Sequence, residues 1–412
     1  MERIMERVCG IDVHKATLSA CVRVGRAQAG IEQEIRSFGT TSDQLLELRQ
    51  WLQSFSVTQV AMEATGVYWK PVYYVLEEAF SMVLVNPAEV KQLPGRKTDV
   101  ADCAWLAQLL EHGLLRSSFV PPPAIRELRD LVRYRTSLKG DHARLANRLH
   151  KVLQDADLKL SSVMSDILGV SGRRILEQLA ASNTDPQALA ELAKGRLRNK
   201  LPQLRQALAG RFSPHHAFML GRLLADLDNA EESMLEVSQR IEECLAPFAP
   251  TLERLCTIPG VKRITATALI AEIGTDMSCF PSAAHLASWA GMCPGNNQSA
   301  GKRRRTKARN GNRWLRTALV EAGQAAGRTR QSALSAIFRR MMLHQGRKHA
   351  AFVVGRHILE LAYHLIANQT TYRELGTNYF EQRRAEQLKR RCLDQLRRLG
   401  FQATLTPMAS AA

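Results

Sequence analysis

The first 120 residues alternate short apolar runs with segments of helical spacing. Leucines at helical spacing predict a helix over residues 41–55, and a second helix is expected to end near Leu110. A short helix is also expected after Glu63. The runs with the apolar or alternating pattern of strands are 7–12, 17–24, 31–38, 58–64 and 81–87. Three strands, a helix and then two strand–helix units predict an α/β domain with a mixed sheet covered by helices.

Beyond the prolines at 121–123 the pattern becomes helical over much longer stretches. Apolar residues recur at every seventh position in two rows, Leu131, Leu138, Leu145 and Val152, then Leu220, Leu227, Met234 and Ile241. Heptad spacing predicts a helical hairpin or an intermolecular coiled coil. Packing within one chain is an equal alternative, so the pattern alone leaves the choice open.

A second boundary is expected at residues 246–250, after which the chain stays helical and becomes basic. Residues 255–274 indicate two helices joined at Pro259 and Gly260, the pattern of a helix-hairpin-helix turn that contacts a phosphate through backbone N–H groups. An ordinary turn between helices is the alternative. The whole pattern predicts an α/β domain followed by all-α parts: a coiled-coil-like middle, a helical domain with the hairpin and a basic helical tail. The predicted domains are 1–120, 121–248, 249–345 and 346–412.

Composition excludes several classes of protein. The chain has 412 residues, 45% of them apolar, and no run long and apolar enough to suggest a membrane span. Its start lacks the apolar core of a signal peptide. The eight cysteines form no CxxC pair, which argues for reduced thiols and against a zinc site or a disulfide framework. We therefore expect a cytoplasmic protein that does not act in a membrane.

Charge is the most unusual property of the sequence. The net charge is +18, and residues 277–320 contain eight Lys or Arg and no acid. Such a block indicates a polyanionic partner, most simply nucleic acid, although a solvated basic surface is the alternative. The residues predicted to contact nucleic acid are Gly260, Lys262, Lys302, Arg303, Arg304, Arg305, Lys307, Arg309 and Arg313.

Four acids stand where the predicted elements can bring them together. Asp12 ends the first strand and Glu63 ends the fourth, so the two meet at one edge of the sheet if these strands are parallel neighbours. Asp99 and Asp102 stand three residues apart, on one face at the start of the next helix. Helix capping and surface charge explain that pair as readily as a metal site does. Four carboxylates in one small site need a counter-charge, and Mg²⁺ prefers carboxylate and phosphate oxygens.

The motifs around these acids resemble those of a known family. GIDVHK at Asp12, MEATGVYW at Glu63 and KTDVADCAWLAQLL at Asp99 and Asp102 are similar to motifs of the DEDD-type insertion-sequence transposases, the relatives of the Piv DNA invertase. The resemblance covers residues 7–115. It implies a RuvC-like domain with the RNase H fold, in which the four acids bind Mg²⁺ and are catalytic.

The C-terminal half resembles the second domain of the same family, over residues 252–325. In that family a serine acts as nucleophile and forms a covalent phosphoserine link to DNA, and the matching residue in CPGNNQSAGK is Ser299. Family members often have a glycine where this chain has Lys262. Without the resemblance, a serine in a polar loop is nearly always just solvated, and its hydroxyl needs a base or a metal to become a nucleophile.

These features predict an insertion-sequence transposase, or site-specific recombinase, that cuts and rejoins DNA through Ser299 with Mg²⁺. The resemblance also implies donor and target DNA, a structured non-coding RNA that pairs with both, and assembly as a dimer or tetramer. It places the protein at the nucleoid of a prokaryote. Two alternatives stay open: a metal-dependent junction nuclease that uses water, and a nucleic-acid-binding protein without catalytic activity.

Overall fold

Residues 4–26, 30–90, 102–294, 298–299, 302–303, 310–377 and 379–404 are described by the structure, a computed structural model. The chain divides into two units, residues 1–120 and 121–412, so that one unit ends just before the proline run. The finer division into four domains stays a prediction.

Unit 1 is built on one five-stranded mixed sheet. Its strands are β1 (Arg7–Val13), β2 (Thr17–Arg26), β3 (Gly30–Gly39), β4 (Gln59–Glu63) and β5 (Ser81–Val85). Their order in the sheet is β3-β2-β1-β4-β5. The first three strands pair antiparallel, whereas β4 is parallel to both β1 and β5. The predicted mixed α/β fold is therefore confirmed.

Helices cover the sheet because the central strands are apolar on both faces. The helices of unit 1 are α1 (Ser42–Ser54), α2 (Trp69–Leu76), α3 (Pro87–Val90) and α4 (Asp102–Glu111). One face packs against α1 and α2 in a core that includes Ile11, Met62, Leu48 and Leu76. Burial of such side chains contributes about 1.5–3 kcal/mol each to folding, so this core dominates the stability of unit 1.

The other face of the sheet is covered by α4, which approaches β1 very closely. A Cβ atom added to Gly10 would lie 2.2 Å from the Cys103 carbonyl oxygen and 2.4 Å from the Ala107 nitrogen, so only glycine fits there. Nearer the start of β1, Val8 clusters with Leu110. The helix therefore runs antiparallel to β1, and its first residue lies toward the C-terminal end of that strand.

The described residues of unit 2 are mainly helical and include one short hairpin. Its helices are α5 (Pro123–Asp155), α6 (Leu160–Val163), α7 (Val170–Ala180), α8 (Pro186–Glu191), α9 (Leu201–Leu208), α10 (Pro214–Leu245), α11 (Ala249–Cys256), α12 (Arg263–Ile273), α13 (Ala283–Trp289), α14 (Arg313–Ala326), α15 (Ala333–Gln345), α16 (Arg347–Ala367) and α17 (Tyr379–Arg398). Short 3₁₀ segments occur at Gly195–Lys200, Ala246–Phe248 and Met277–Cys279. The hairpin consists of β6 (Gln298–Ser299) and β7 (Lys302–Arg303).

The two long helices α5 and α10 pack against each other in antiparallel fashion. Early in α5, Arg135 Nε donates to Ser238 Oγ near the end of α10 at 2.7 Å. At the end of α5, Asp155 Oδ2 lies 3.2 Å from His216 Nε2 near the start of α10. Packing within one chain thus occurs as one of the predicted alternatives, and an additional intermolecular coiled coil stays a prediction.

The last apolar helix, α16, lies among α11, α13, α14 and α15. By length and composition alone α16 could cross a membrane, but half of its most apolar stretch is buried inside the unit. Its apolarity is therefore that of a core helix.

Candidate active site

Asp12 and Glu63 come to the same edge of the sheet. β1 and β4 are parallel neighbours in which Ile11 pairs with Met62, so each acid is the next residue along its strand. The preceding residues, Ile11 and Met62, belong to the core on the α1 and α2 side. Because successive side chains of a strand lie on opposite faces, both acids lie on the face that α4 covers. The parallel pairing of β1 with β4, on which the predicted approach of Asp12 and Glu63 depends, is therefore present.

Asp102 joins this face as the first residue of α4, at the helix end directed toward Asp12. The pKa of the Cys103 thiol is raised by its burial, lowered by backbone hydrogen bonds, and raised further by the negative charges of Asp12 and Asp102. Both carboxylates therefore lie close enough to act on this one thiol. Cys103 is fully buried and stays protonated at neutral pH, which leaves the chemistry to the acids.

The donor set at this edge is the kind that fits a hard divalent cation. Asp12, Glu63 and Asp102 offer only carboxylate oxygens, and first-turn N–H groups of α4 favour anions at its start. Among the described residues, no three His, Cys, Asp or Glu side chains are close enough together to hold a metal ion. The fourth predicted ligand, Asp99, lies outside the described residues. Asp12 has a further neighbour, His14, whose Nε2 is 3.2 Å from Asp12 Oδ2.

Ser299 lies in the short hairpin of unit 2. Its backbone in β6 pairs antiparallel with that of Lys302 in β7, and Gln298 pairs with Arg303. The predicted serine is thus next to two of the predicted basic residues in the backbone ladder. The remaining basic residues of this run, Arg304, Arg305, Lys307 and Arg309, lie outside the described residues.

The predicted helix-hairpin-helix turn joins α11 to α12, but its glycine has a structural explanation. Gly260 has φ of +86°, and a Cβ there would lie 2.5 Å from both the Ala322 carbonyl oxygen and the Ala326 nitrogen of α14. The turn therefore needs glycine in order to pack on α14, whether or not it contacts a phosphate. Lys262 is exposed just before α12.

Arg313 begins α14, and its guanidinium carbon lies 4.7 Å from the centre of the Trp314 ring. The cation–π contact holds the side chain against the helix start, where Arg313 remains exposed. The phosphate contacts of the turn and of Arg313 stay predictions.

Sequence reasoning missed a buried acid beside this region. Glu272, near the end of α12, is only 1% exposed and accepts hydrogen bonds from Arg133 and Asn312. The one signal in the sequence was a single acid inside the apolar run ALIAEIG, because an acid is rarely fully buried without a partner. Its partners are 139 and 40 residues away in the chain, so no local pattern could have identified them.

Comparison with family models finds two matches in the same order along the chain. A model of the DEDD transposases of IS110, described as a transposase, matches residues 9–156. A model described as the transposase IS116/IS110/IS902 family matches residues 252–339. Together the two matches take in more than half of the chain.

Comparison with curated proteins finds relatives along most of the length. An uncharacterized 43.6 kDa protein of insertion element IS110 from Streptomyces coelicolor is 28% identical over 250 residues, which are 55% of this chain and 60% of that protein. The pilin gene-inverting proteins of Moraxella bovis and Moraxella lacunata are each 24% identical over 370 residues, 87% of this chain and 94% of theirs.

The two family models match in the order that the sequence motifs predict, and the relatives come from the same group of proteins. The chain belongs to the IS110 family of DEDD-type transposases and DNA recombinases.

Proposed function

We propose that this protein cuts and rejoins DNA by transesterification, with Ser299 as nucleophile and the acids Asp12, Glu63, Asp99 and Asp102 as ligands of Mg²⁺. The observation that carries the proposal is the placement of Asp12 and Glu63 near the C-terminal ends of two parallel neighbouring strands, on the face whose helix begins with Asp102. Acids scattered for solubility would have no reason to share one face of a buried sheet.

The four acids would hold the cation through carboxylate oxygens, with Asp99 completing the set. A bound Mg²⁺ supplies positive charge that stabilises the entering and leaving oxygens of a phosphoryl transfer. The chain contributes the fixed frame: strand register sets Asp12 and Glu63, and the close contact at Gly10 sets the helix that carries Asp102.

Ser299 would supply the attacking oxygen. Its Oγ forms a bond to the phosphorus of one DNA strand while the bond from that phosphorus to a DNA oxygen breaks, and the serine proton ends on the released DNA hydroxyl. A hydroxyl of the partner strand then attacks the phosphoserine, which joins the new strands and restores the serine. No water is consumed, so the energy of the broken phosphodiester bond is kept in the phosphoserine bond and is available for rejoining the strands.

DNA would be bound through its backbone by Lys302, Arg303 and the basic residues that follow, together with Lys262 and Arg313. Such contacts carry little sequence information. A structured RNA encoded by the element would provide sequence recognition by pairing with donor and target DNA. The acid-free run from 277 to 320 supports backbone binding, because it offers eight positive charges and no carboxylate that would repel phosphate.

The assembly would be a dimer or tetramer of this chain, acting at the nucleoid in the cytoplasm. Support comes from large apolar side chains left exposed on the two long helices, Tyr134, Phe218 and Leu235, which are 54%, 66% and 62% exposed. The names of the Moraxella relatives describe gene inversion, a reaction that also exchanges strands between two DNA sites.

The test is a protein–DNA adduct that survives denaturant. Purified protein is incubated with Mg²⁺, DNA carrying the native flanks of its gene, and RNA transcribed from those flanks. We expect an adduct with the wild type and none with Ser299→Ala. Ser288→Ala is the matched control, because Ser288 also lies in this domain but is inside α13 and caps no helix. Cleavage by Ser299→Ala without an adduct would replace our proposal with the junction nuclease that uses water.

A further inference from the structure

The described residues on either side of the stretch that contains Ser299 lie next to each other. We call residues 292–310 the serine segment. On its C-terminal side, Gly311 packs so closely on the backbone before the segment that an added Cβ would lie 2.4 Å from the Gly291 nitrogen and 2.6 Å from the Ala290 carbonyl oxygen. The two ends therefore meet, and whatever fixes this junction limits where the segment can extend.

A buried carboxylate stands beside the junction. Arg133 of α5 donates to Glu272 through both Nε and Nη2, at 2.8 Å and 2.7 Å, in the bidentate geometry that is strongest for this pair. Arg129, one turn earlier, donates to the carbonyl oxygens of Ala271 and Glu272 at 2.9 Å and 2.7 Å. The end of α12 is thus held to α5 by two arginines.

Asn312 connects this carboxylate to the serine segment. Its Oδ1 accepts hydrogen bonds from the backbone nitrogens of Trp314 and Leu315, both at 3.1 Å, and so caps α14. Its Nδ2 donates to Glu272 Oε2 at 2.5 Å. The two atoms of the amide therefore have separate functions. The oxygen caps the start of α14, and the nitrogen connects the C-terminal side of the serine segment to α12.

We propose that Glu272 and Asn312 are positioning residues for the nucleophile: their hydrogen bond, held by Arg133, fixes the base of the serine segment so that Ser299 reaches the scissile phosphate. This inference rests on the proposed function, because it requires Ser299 to be the attacking residue. Helix capping alone would explain the oxygen of Asn312. It does not explain a fully buried acid aimed at the amide nitrogen.

Asn312→Asp separates the helix cap from the hydrogen bond to Glu272. The aspartate retains a capping oxygen but replaces the donor nitrogen with an acceptor that faces Glu272. Asn312→Ser also keeps a capping oxygen, and it replaces the amide donor with a shorter hydroxyl without adding charge. With DNA at saturation, we expect both variants to form the adduct about 10- to 100-fold more slowly, because displacement of a reacting group by about 1 Å has effects of this size. DNA affinity should change less than about twofold, since no phosphate-contacting residue is altered.

Rescue provides the decisive readout. In the double variant Glu272→Gln with Asn312→Asp, the glutamine amide can donate to the aspartate, so the link returns with donor and acceptor exchanged. We expect its adduct rate to recover at least tenfold over Asn312→Asp. The matched control is Glu242→Gln, which weakens another bidentate pair, with Arg263, that is exposed to solvent and does not include Glu272 or Asn312. That variant should form the adduct at the wild-type rate.

Ser299→Ala is run in parallel to keep the two proposals apart. If it still forms the adduct, the proposed function has failed. If it forms none while Asn312→Asp and Asn312→Ser react at the wild-type rate, only the positioning role is overturned. A loss of rate that matches a loss of DNA affinity, or that the double variant leaves uncorrected, would also overturn it, since both results indicate a general structural defect.

Discussion

The two parts of the proposed active site are held in place by different means. In unit 1, Asp12 and Glu63 belong to strands whose backbone ladders fix them, and Asp102 begins a helix packed on the same sheet. In unit 2, Ser299 lies in a segment whose base is fixed by side chains, chiefly Glu272, Arg133 and Asn312. The main-chain pairing in unit 1 remains when any one acid side chain is removed. The side-chain hydrogen bonds at the base of the serine segment are lost when one of their partners is removed.

The strongest change should come from the acids themselves. Asp12→Ala or Asp102→Asn should lower strand cleavage by roughly 10³-fold or more, because stabilisation of the entering and leaving oxygens would be lost. DNA binding and the unfolding midpoint without Mg²⁺ should be retained, since removal of one anion from an acidic edge relieves repulsion. Asp43→Asn, in the first turn of α1, is the control that should cleave normally. Wild-type cleavage by Asp102→Asn would refute the metal assignment.

The next effect concerns stability and should appear in unit 2 alone. Glu272→Ala removes the buried carboxylate that accepts hydrogen bonds from Asn312 and from Arg133, whose side chain is 33% exposed, and is expected to lower the free energy of unfolding by about 1–3 kcal/mol. Glu242→Ala breaks the exposed pair with Arg263 and should cost at most about 1 kcal/mol. Urea unfolding of both variants measures the difference. Equal midpoints would mean that the buried pair does not hold the base of the serine segment.

The acids of unit 1 could be predicted from the sequence because sheet geometry is repetitive. The end of an apolar run marks the end of a strand, and the period of two sets the face, so Asp12 and Glu63 follow from the chain alone. The position of Asp102 at the start of a helix likewise follows from helical spacing, whereas its role as a ligand is what the family resemblance implies. Their approach to one another needed the parallel pairing of β1 with β4, which no local pattern specifies.

The frame around the serine could not be predicted in this way. Arg133 and Glu272 stand 139 residues apart, and Asn312 looks like an ordinary helix cap. Gly260 is a second case: its motif suggested phosphate contact, and the structure adds that a side chain there would collide with α14. Both cases depend on tertiary packing between helices, which periodicity does not encode.

A smaller effect should distinguish the basic run from a merely solvated surface. Changing Arg303, Arg304 and Arg305 together to Gln should reduce the slope of log affinity against log salt by roughly 0.7–0.9 for each phosphate that the variant no longer neutralises. The control variant carries Gln at Arg196, Arg198 and Lys200, three exposed cations of the 3₁₀ segment. Titration of a labelled DNA duplex at several salt concentrations gives both slopes. Equal slopes for the two triple variants would remove the phosphate-binding assignment.

The effect furthest from the proposed chemistry concerns the buried thiols behind the acids. Burial and the nearby Cys103 raise the pKa of Cys21 to about 12 from its ordinary value of about 9. The unfolded chain therefore loses this proton first, and stability should fall as the pH rises from about 9 toward 12, by up to about 1.4 kcal/mol per pH unit for this thiol. Cys21→Ala should flatten the alkaline slope in urea unfolding, and Cys392→Ala on α17, an exposed position, should not. An unchanged slope in Cys21→Ala would contradict the expected coupling.

A single experiment can decide whether the acids and Ser299 act in the same phosphoryl transfer, the acids as metal ligands and Ser299 as nucleophile. The denatured protein–DNA adduct is digested, and the phosphorylated peptide is located by mass spectrometry. We expect phosphate on Ser299 in the wild type and no phosphopeptide with Asp12→Ala. Phosphate on a residue outside 295–302, or cleaved DNA with no phosphopeptide at all, would show that the division of work proposed for the acids and the serine is wrong.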